Sequence, residues 1–273
     1  MRTHRLLALV AAGSLAALAE AAHTNNILLT GYWPPTNNMI RRFSTNPEQN
    51  AQGWIGGNWE GRGYNIYSYF PEFPNGLNDG VGDFRVDYQA TSADWWRITA
   101  QLQPVAIIAF GRAEDNYDWR VEGASRNLPL DQWADDYVAP LRPTPDLPIY
   151  SETPGRIRAS SLPMQQIVDA VTLTVPGATT YSTTLDTSNF LCDFIGYHAN
   201  WYHDLHANPD DPAWNVAAGF IHVGSMLSTV PGRRATEASL RALTDYVDTV
   251  VPEPSAALLV VVGALLLRRR AGR

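Results

Sequence analysis

The chain has 273 residues, 45% of them apolar, and a formal net charge of −7. All 20 of its basic Lys+Arg residues are arginine, which excludes a lysine Schiff base and the lysine of a phosphate-binding P-loop. The acidic balance deepens once the arginines at the two ends are set aside, so nucleic acid and anionic membrane surfaces are unfavourable partners.

Residues 1–21 open with Arg2 and Arg5, run through an apolar stretch from Leu6 to Ala19, and end on Ala19-Glu20-Ala21. That is the pattern of a secretory signal peptide. The body, residues 22–250, is expected to form one globular domain with alternating α and β elements. Ile27-Leu28-Leu29, ending at Thr30-Gly31, and Val105 to Phe110, ending at Gly111, read as buried parallel strands. The stretch from Gly53 to Gly82 is rich in Gly, Asn and aromatic residues and is expected to be a surface insertion with one strand, Tyr64 to Phe70. Ser92 to Gln101 reads as a helix capped by Ser92. Trp119 and Val121 alternate with Arg120 and Glu122, the period of a half-exposed strand. Pro140 to Pro154 carries five prolines and is expected to be a loop. Pro163 to Val171 reads as a helix opened by proline. Leu191, Ile195, His198, Tyr202 and Leu205 recur at helical spacing, which puts Cys192 in a first turn. Ala235 to Val250 reads as a closing amphipathic helix.

Cys192 is the only cysteine, so no internal disulfide can form. At a helix N-terminus the unpaired amides and the macrodipole favour an anion, here a thiolate. His222, in the strand-like run Gly219 to Val223, and Glu122 upstream supply the base and the orienting carboxylate of a nucleophilic triad. The plain alternative is a packed cysteine, a histidine at a strand end and a solvated glutamate.

Several segments, taken in order, resemble pyroglutamyl peptidase I. They are Ile27-Leu28-Leu29-Thr30-Gly31-Tyr32-Trp33-Pro34, Pro104 to Arg112, Asp118 to Asn127, Ser160-Ser161-Leu162-Pro163, Leu185 to Tyr197, and Gly219 to Val223. The resemblance implies a three-layer α/β/α sandwich around a central, mostly parallel twisted sheet. It implies a cysteine peptidase that removes an N-terminal pyroglutamyl or similar blocked residue, with Cys192 as nucleophile, His222 as acid and base, and Glu122 as the orienting group. Tyr32, Pro35 and Gly111 fall at substrate-binding positions, backbone amides near Cys192 are the oxyanion donors, and neither a metal nor an organic cofactor is implied. The chain departs from the family at Pro35, where an aromatic residue is usual, and at Asp193, which replaces an asparagine. It departs again around Asp131 to Asp136, where an expected arginine is missing and Arg126 is the nearest substitute. Trp54, Trp59 or Tyr64 are candidates to replace the missing aromatic surface.

At the C-terminal end, Val251-Pro252-Glu253-Pro254-Ser255, the apolar run 256–267 and Arg268 to Arg270 resemble a PEP-CTERM sorting signal, taken as residues 251–273. The twelve residues of the run are fewer than the roughly 20 needed to span a bilayer. The resemblance implies export in a Gram-negative bacterium to the periplasm, cell surface or exterior, with transient membrane contact through 256–267 and processing by an exosortase. The alternative function is an inactive envelope or matrix protein that keeps the scaffold for binding. His203 with His206 form a possible metal pair, Asp131, Asp135 and Asp136 an incomplete calcium loop, and Trp54, Trp59, Tyr64, Tyr67 and Tyr69 a possible carbohydrate-binding face.

Overall fold

The computed structural model describes residues 23–185 and 188–251. The expected signal peptide, and the expected sorting tail beyond Val251, lie outside the described residues. Among the described residues no helix is long and apolar enough to cross a membrane.

A six-stranded sheet forms the middle layer, in the order β2-β1-β3-β8-β4-β7. Its strands are β1 (Asn26–Thr30), β2 (Asn65–Tyr69), β3 (Ala106–Arg112), β4 (Asp118–Glu122), β7 (Thr179–Ser182) and β8 (Ala217–Val223). The pairings of β2, β1, β3 and β8 are parallel, whereas β4 runs antiparallel to β8 and carries β7 parallel to itself. A separate antiparallel pair, β5 (Ala124–Arg126) and β6 (Ile157–Ala159), flanks the sheet.

Period-two alternation sorts the strand side chains into two cores. Ile27, Leu29, Ile108, Phe110, Trp119, Val121, Ile221 and Val223 face one layer, made of α1 (Thr36–Ile40), α3 (Met164–Thr174) and α5 (Thr229–Val250). Leu28, Ile107, Ala109, Ala218 and Phe220 face the other, made of α2 (Tyr88–Leu102) and α4 (Leu191–Leu205). This is the expected α/β/α sandwich, and the inner strands are apolar on both faces because both are covered.

Several local expectations are corrected. The strand within residues 53–82 is not part of a surface insertion but the sheet's edge, paired residue for residue with β1 from Asn26↔Asn65 to Thr30↔Tyr69. The cap of α2 is Asp87, whose Oδ1 accepts from the amides of Gln89 at 2.8 Å and Ala90 at 3.0 Å; Ser92 is buried one turn inside. Helix α5 starts at Thr229 rather than Ala235, with Pro231 in its first turn, where a missing amide proton costs nothing. Strand β4 keeps the expected alternation, with Trp119 and Val121 buried and Asp118 and Arg120 partly exposed, as far as Glu122, which is only 2% exposed.

Candidate active site

The site lies where β3 and β8 end, on the α4 face of the sheet. Parallel α/β sheets open at the carboxyl ends of their strands because helices cover the faces and only the loops diverge. Cys192 is the second residue of α4, and two glycines allow that helix to press on the sheet. A Cβ at Gly196 would stand 2.6 Å from Ser125 Oγ and 3.1 Å from Phe220 Cβ. A Cβ at Gly111 would stand 2.6 Å from the Cys192 sulfur and 2.5 Å from Phe220 Cζ, so the sulfur rests over the bare backbone of β3.

Gly111 is the register partner of His222 on β8, and directly paired residues of parallel strands present the same face. The imidazole therefore rises from the strand next to the backbone on which the sulfur rests, on the same face of the sheet. Across the antiparallel β4/β8 pair, Arg120 is the partner of His222, and Glu122 follows on the same face two residues later. Folding thus brings Cys192, His222 and Glu122 into the lining of one cavity of about 430 Å³.

His222 Nδ1 lies 2.8 Å from Glu122 Oε1, and Arg120 Nε donates to the same oxygen at 2.8 Å. Thr183 donates its hydroxyl to the other carboxylate oxygen. Burial works against ionisation of this carboxyl, but the hydrogen bonds from His222 and Thr183 and the neighbouring charges outweigh it and hold Glu122 below the usual carboxylate range. Phe220 packs edge-on against the His222 ring, with centroids 4.6 Å apart, which restricts the imidazole from below.

The expected substrate-binding residues divide. Gly111 forms the floor under the sulfur. Tyr32 and Pro35 are both buried and lie outside the cavity lining; the Tyr32 hydroxyl is 3.1 Å from Thr91 Oγ1, and Pro35 caps the short helix α1. The neighbouring Trp33 lines the cavity instead and stacks on Phe190 at 6.1 Å, while its Nε1 donates to Asn78 O. Trp54, Trp59 and Tyr64 do not supply the aromatic wall either. Trp54 stacks on Tyr67 at the sheet edge, and Trp59 and Tyr64 are buried on the opposite face.

Asp193 is fully buried and accepts from the backbone amide of Arg126 at 3.1 Å, so it ties α4 to β5 and does not line the cavity. Arg126 is absent from the lining as well. His203 and His206 turn to different partners, Asn215 O at 3.0 Å and Asp211 Oδ2 at 2.8 Å. Residues that sequence reasoning passed over are Trp33, Arg112, Glu114, Arg120, Thr183 and Phe190. Strand periodicity alone places Arg120 beside Glu122, whereas Thr183 carries no local signal.

Neither a protein-family model nor a curated protein matches the sequence. Among solved structures, the pyrrolidone carboxyl peptidase of Thermococcus litoralis aligns with a TM-score of 0.58 at 15% identity, over 84% of this chain and 99% of that one. The pyroglutamyl peptidase I of Bacillus amyloliquefaciens aligns with a TM-score of 0.57 at 18% identity, over 81% of this chain and 95% of that one. A variant pyrrolidone carboxyl peptidase of Pyrococcus furiosus gives 0.58 at 15% identity, over 81% and 99%. What this chain shares with them is the fold: the α/β sandwich of pyroglutamyl peptidase I.

Proposed function

We propose that the protein is an exported cysteine peptidase that removes a pyroglutamyl or similarly blocked residue from the N-terminus of a peptide. The observation that carries this reading is the buried Glu122–His222 pair opening on the same cavity as the only cysteine, with the sulfur seated over Gly111. In this reading the Cys192 thiolate attacks the carbonyl that joins the blocked residue to the next one. The amides opening α4 are donors for the resulting oxyanion, because the first turn of a helix leaves them without intrahelical acceptors. His222 protonates the departing amine, and the same ring then takes a proton from the water that hydrolyses the thioester. Glu122 holds Nδ1 and so leaves Nε2 to exchange protons. Trp33 and Phe190 offer a flat apolar surface to a ring at the blocked terminus. The charge pattern of the two chain ends supports export and sorting.

The test uses the purified protein with a pyroglutamyl fluorogenic amide. Turnover that disappears in Cys192→Ala is the expected result. A folded protein without turnover, whose Cys192 resists alkylation, would overturn the peptidase reading in favour of a binding scaffold. Turnover confined to another N-terminal blocking group would keep the chemistry and replace the substrate.

A further inference from the structure

The cavity wall carries a cation that the triad chemistry leaves unused. Its charged lining comprises Arg112, Arg120, Glu114 and Glu122. Arg120 is committed: its Nε bonds to Glu122 and its guanidinium stands 3.6 Å from Glu114. Glu122 is committed in turn to Arg120, His222 and Thr183. Arg112 differs. Its side chain makes no hydrogen bond among the described residues, and its one ion pair is a 3.6 Å contact with Asp115, a side chain that is 84% exposed and already accepts a hydrogen bond from Ser225. A guanidinium has five donors in a rigid fork matched to a carboxylate, and in a residue lining the cavity those donors have no hydrogen-bond acceptor among the described residues.

Position gives this cation a meaning. Arg112 follows Gly111 directly in the chain, and Gly111 underlies the Cys192 sulfur. Arg112 and Cys192 line the same cavity, so a group held by Arg112 shares that space with the reacting carbonyl. The blocked terminus has the Trp33–Phe190 surface on which to lie, which leaves Arg112 for the residue on the leaving side of the scissile amide.

We infer that Arg112 binds a carboxylate on the residue that follows the scissile bond, which makes the preferred substrates short blocked peptides bearing an anion at that residue. The carboxylate has two sources: the free C-terminus of a blocked dipeptide, or an acidic side chain in a longer peptide. The substrate part rests on the peptidase reading; the anion site beside Cys192 does not.

Alkylation separates the two. Iodoacetate and iodoacetamide both transfer a carbon to a thiolate with loss of iodide, and they differ in that only the first carries a carboxylate. Because Cys192 is the only cysteine, labelling of the full chain reports on this sulfur alone. The expected ratio of iodoacetate to iodoacetamide rates in the folded protein is about tenfold or more above that of the same chain unfolded in denaturant, the scale of a charge-assisted hydrogen bond. Arg112→Gln should bring the ratio to within about twofold of the unfolded reference, and Arg112→Lys should keep part of the preference. A folded wild-type ratio equal to the reference overturns the inference without touching the peptidase reading. A ratio that survives Arg112→Gln overturns it too and assigns the anion to another positive group at the sulfur, the protonated His222 or the amides opening α4. A sulfur inert to both reagents overturns inference and peptidase reading together. For an active protein, kcat/KM for pyroglutamyl-alanine, its amide and pyroglutamyl-glutamyl amide then assigns the source. Preference for the first marks a C-terminal carboxylate, preference for the third an acidic side chain, and equal or better use of the neutral amide overturns the substrate claim.

Discussion

His222 Nδ1 and Glu122 Oε1 stand 2.8 Å apart although 100 residues separate them in the chain. The pairing of β4 with β8 produces that contact, and Arg120, directly opposite His222, completes it by donating to the same oxygen. The carboxylate is thus saturated by partners that fix its orientation, and it fixes the ring.

Glu122→Gln tests that arrangement. The amide can no longer accept on both oxygens or balance a charged imidazole, so kcat should fall on the order of a hundredfold or more with a smaller change in KM. The variant should also lose stability at neutral pH. A carboxyl held below its unfolded value contributes stability above roughly pH 4.3, and that contribution is lost as pH falls through the folded value. Urea unfolding at pH 7 and pH 3.5 should therefore show a gap between wild type and variant that narrows in acid. A constant gap would contradict the electrostatic origin.

Gly111→Ala places a methyl group where the Cys192 sulfur and the Phe220 ring already stand, at 2.6 and 2.5 Å. Overpacking of this kind costs about 1–3 kcal/mol, and relief requires α4 to lift from the sheet. Lower thermal stability should accompany a loss of Cys192 alkylation selectivity. A variant as stable as wild type would show that the helix is not seated as closely as described.

His198, fully buried on α4, donates from Nδ1 to Phe194 O at 2.8 Å among Trp95, Phe194 and Trp201. Burial pushes its pKa down to about 4. As pH falls from about 6.5 the unfolded chain takes up a proton that the folded chain refuses until about 4, so stability declines by roughly 3 kcal/mol across that window and not above it. His198→Met should remove that part of the pH slope in urea titrations, measured as the difference between the two proteins. An unchanged slope would sink the assignment.

Arg158, with a side chain only 4% exposed, pairs with Glu152 and Asp204, donates to the Tyr197 hydroxyl at 3.1 Å and lies over the Trp201 ring at 5.8 Å. It joins β6 to α4 and to the loop around Glu152. Arg158→Met leaves Glu152 without its main partner and should cost about 3–5 kcal/mol, whereas the double variant Arg158→Met with Glu152→Gln should lose less. Equal losses would make the contribution one of packing rather than of charge.

The parallel strands were legible as runs of Ile, Leu, Val and Ala bounded by glycine, because a strand buried on both faces needs no polar alternation. The position of Cys192 was legible because Leu191, Ile195, His198 and Tyr202 recur at the helical period. Asp87 and Ser92 are both acceptable caps by chemistry and both are buried; only the start of the helix distinguishes them, since Asp87 meets the free amides of Gln89 and Ala90 whereas Ser92 lies inside the helix. Tyr32 and Trp33 show the same limit at a binding surface, since adjacent residues of a loop point in different directions.

By itself, the sequence determined the alternation of α and β elements, the reliance on arginine for every Lys-or-Arg charge, and the identity of the one sulfur with its helical first turn. These follow from hydrophobic period and composition, which are local. Tertiary structure alone decided that Glu122 meets His222, that Trp33 rather than Tyr32 lines the cavity, and that the Arg112 side chain has no hydrogen-bond acceptor among the described residues. Those outcomes depend on strand order, register and the close seating of α4 over Gly111 and Gly196, and contacts of that range are set by the packing of the whole domain.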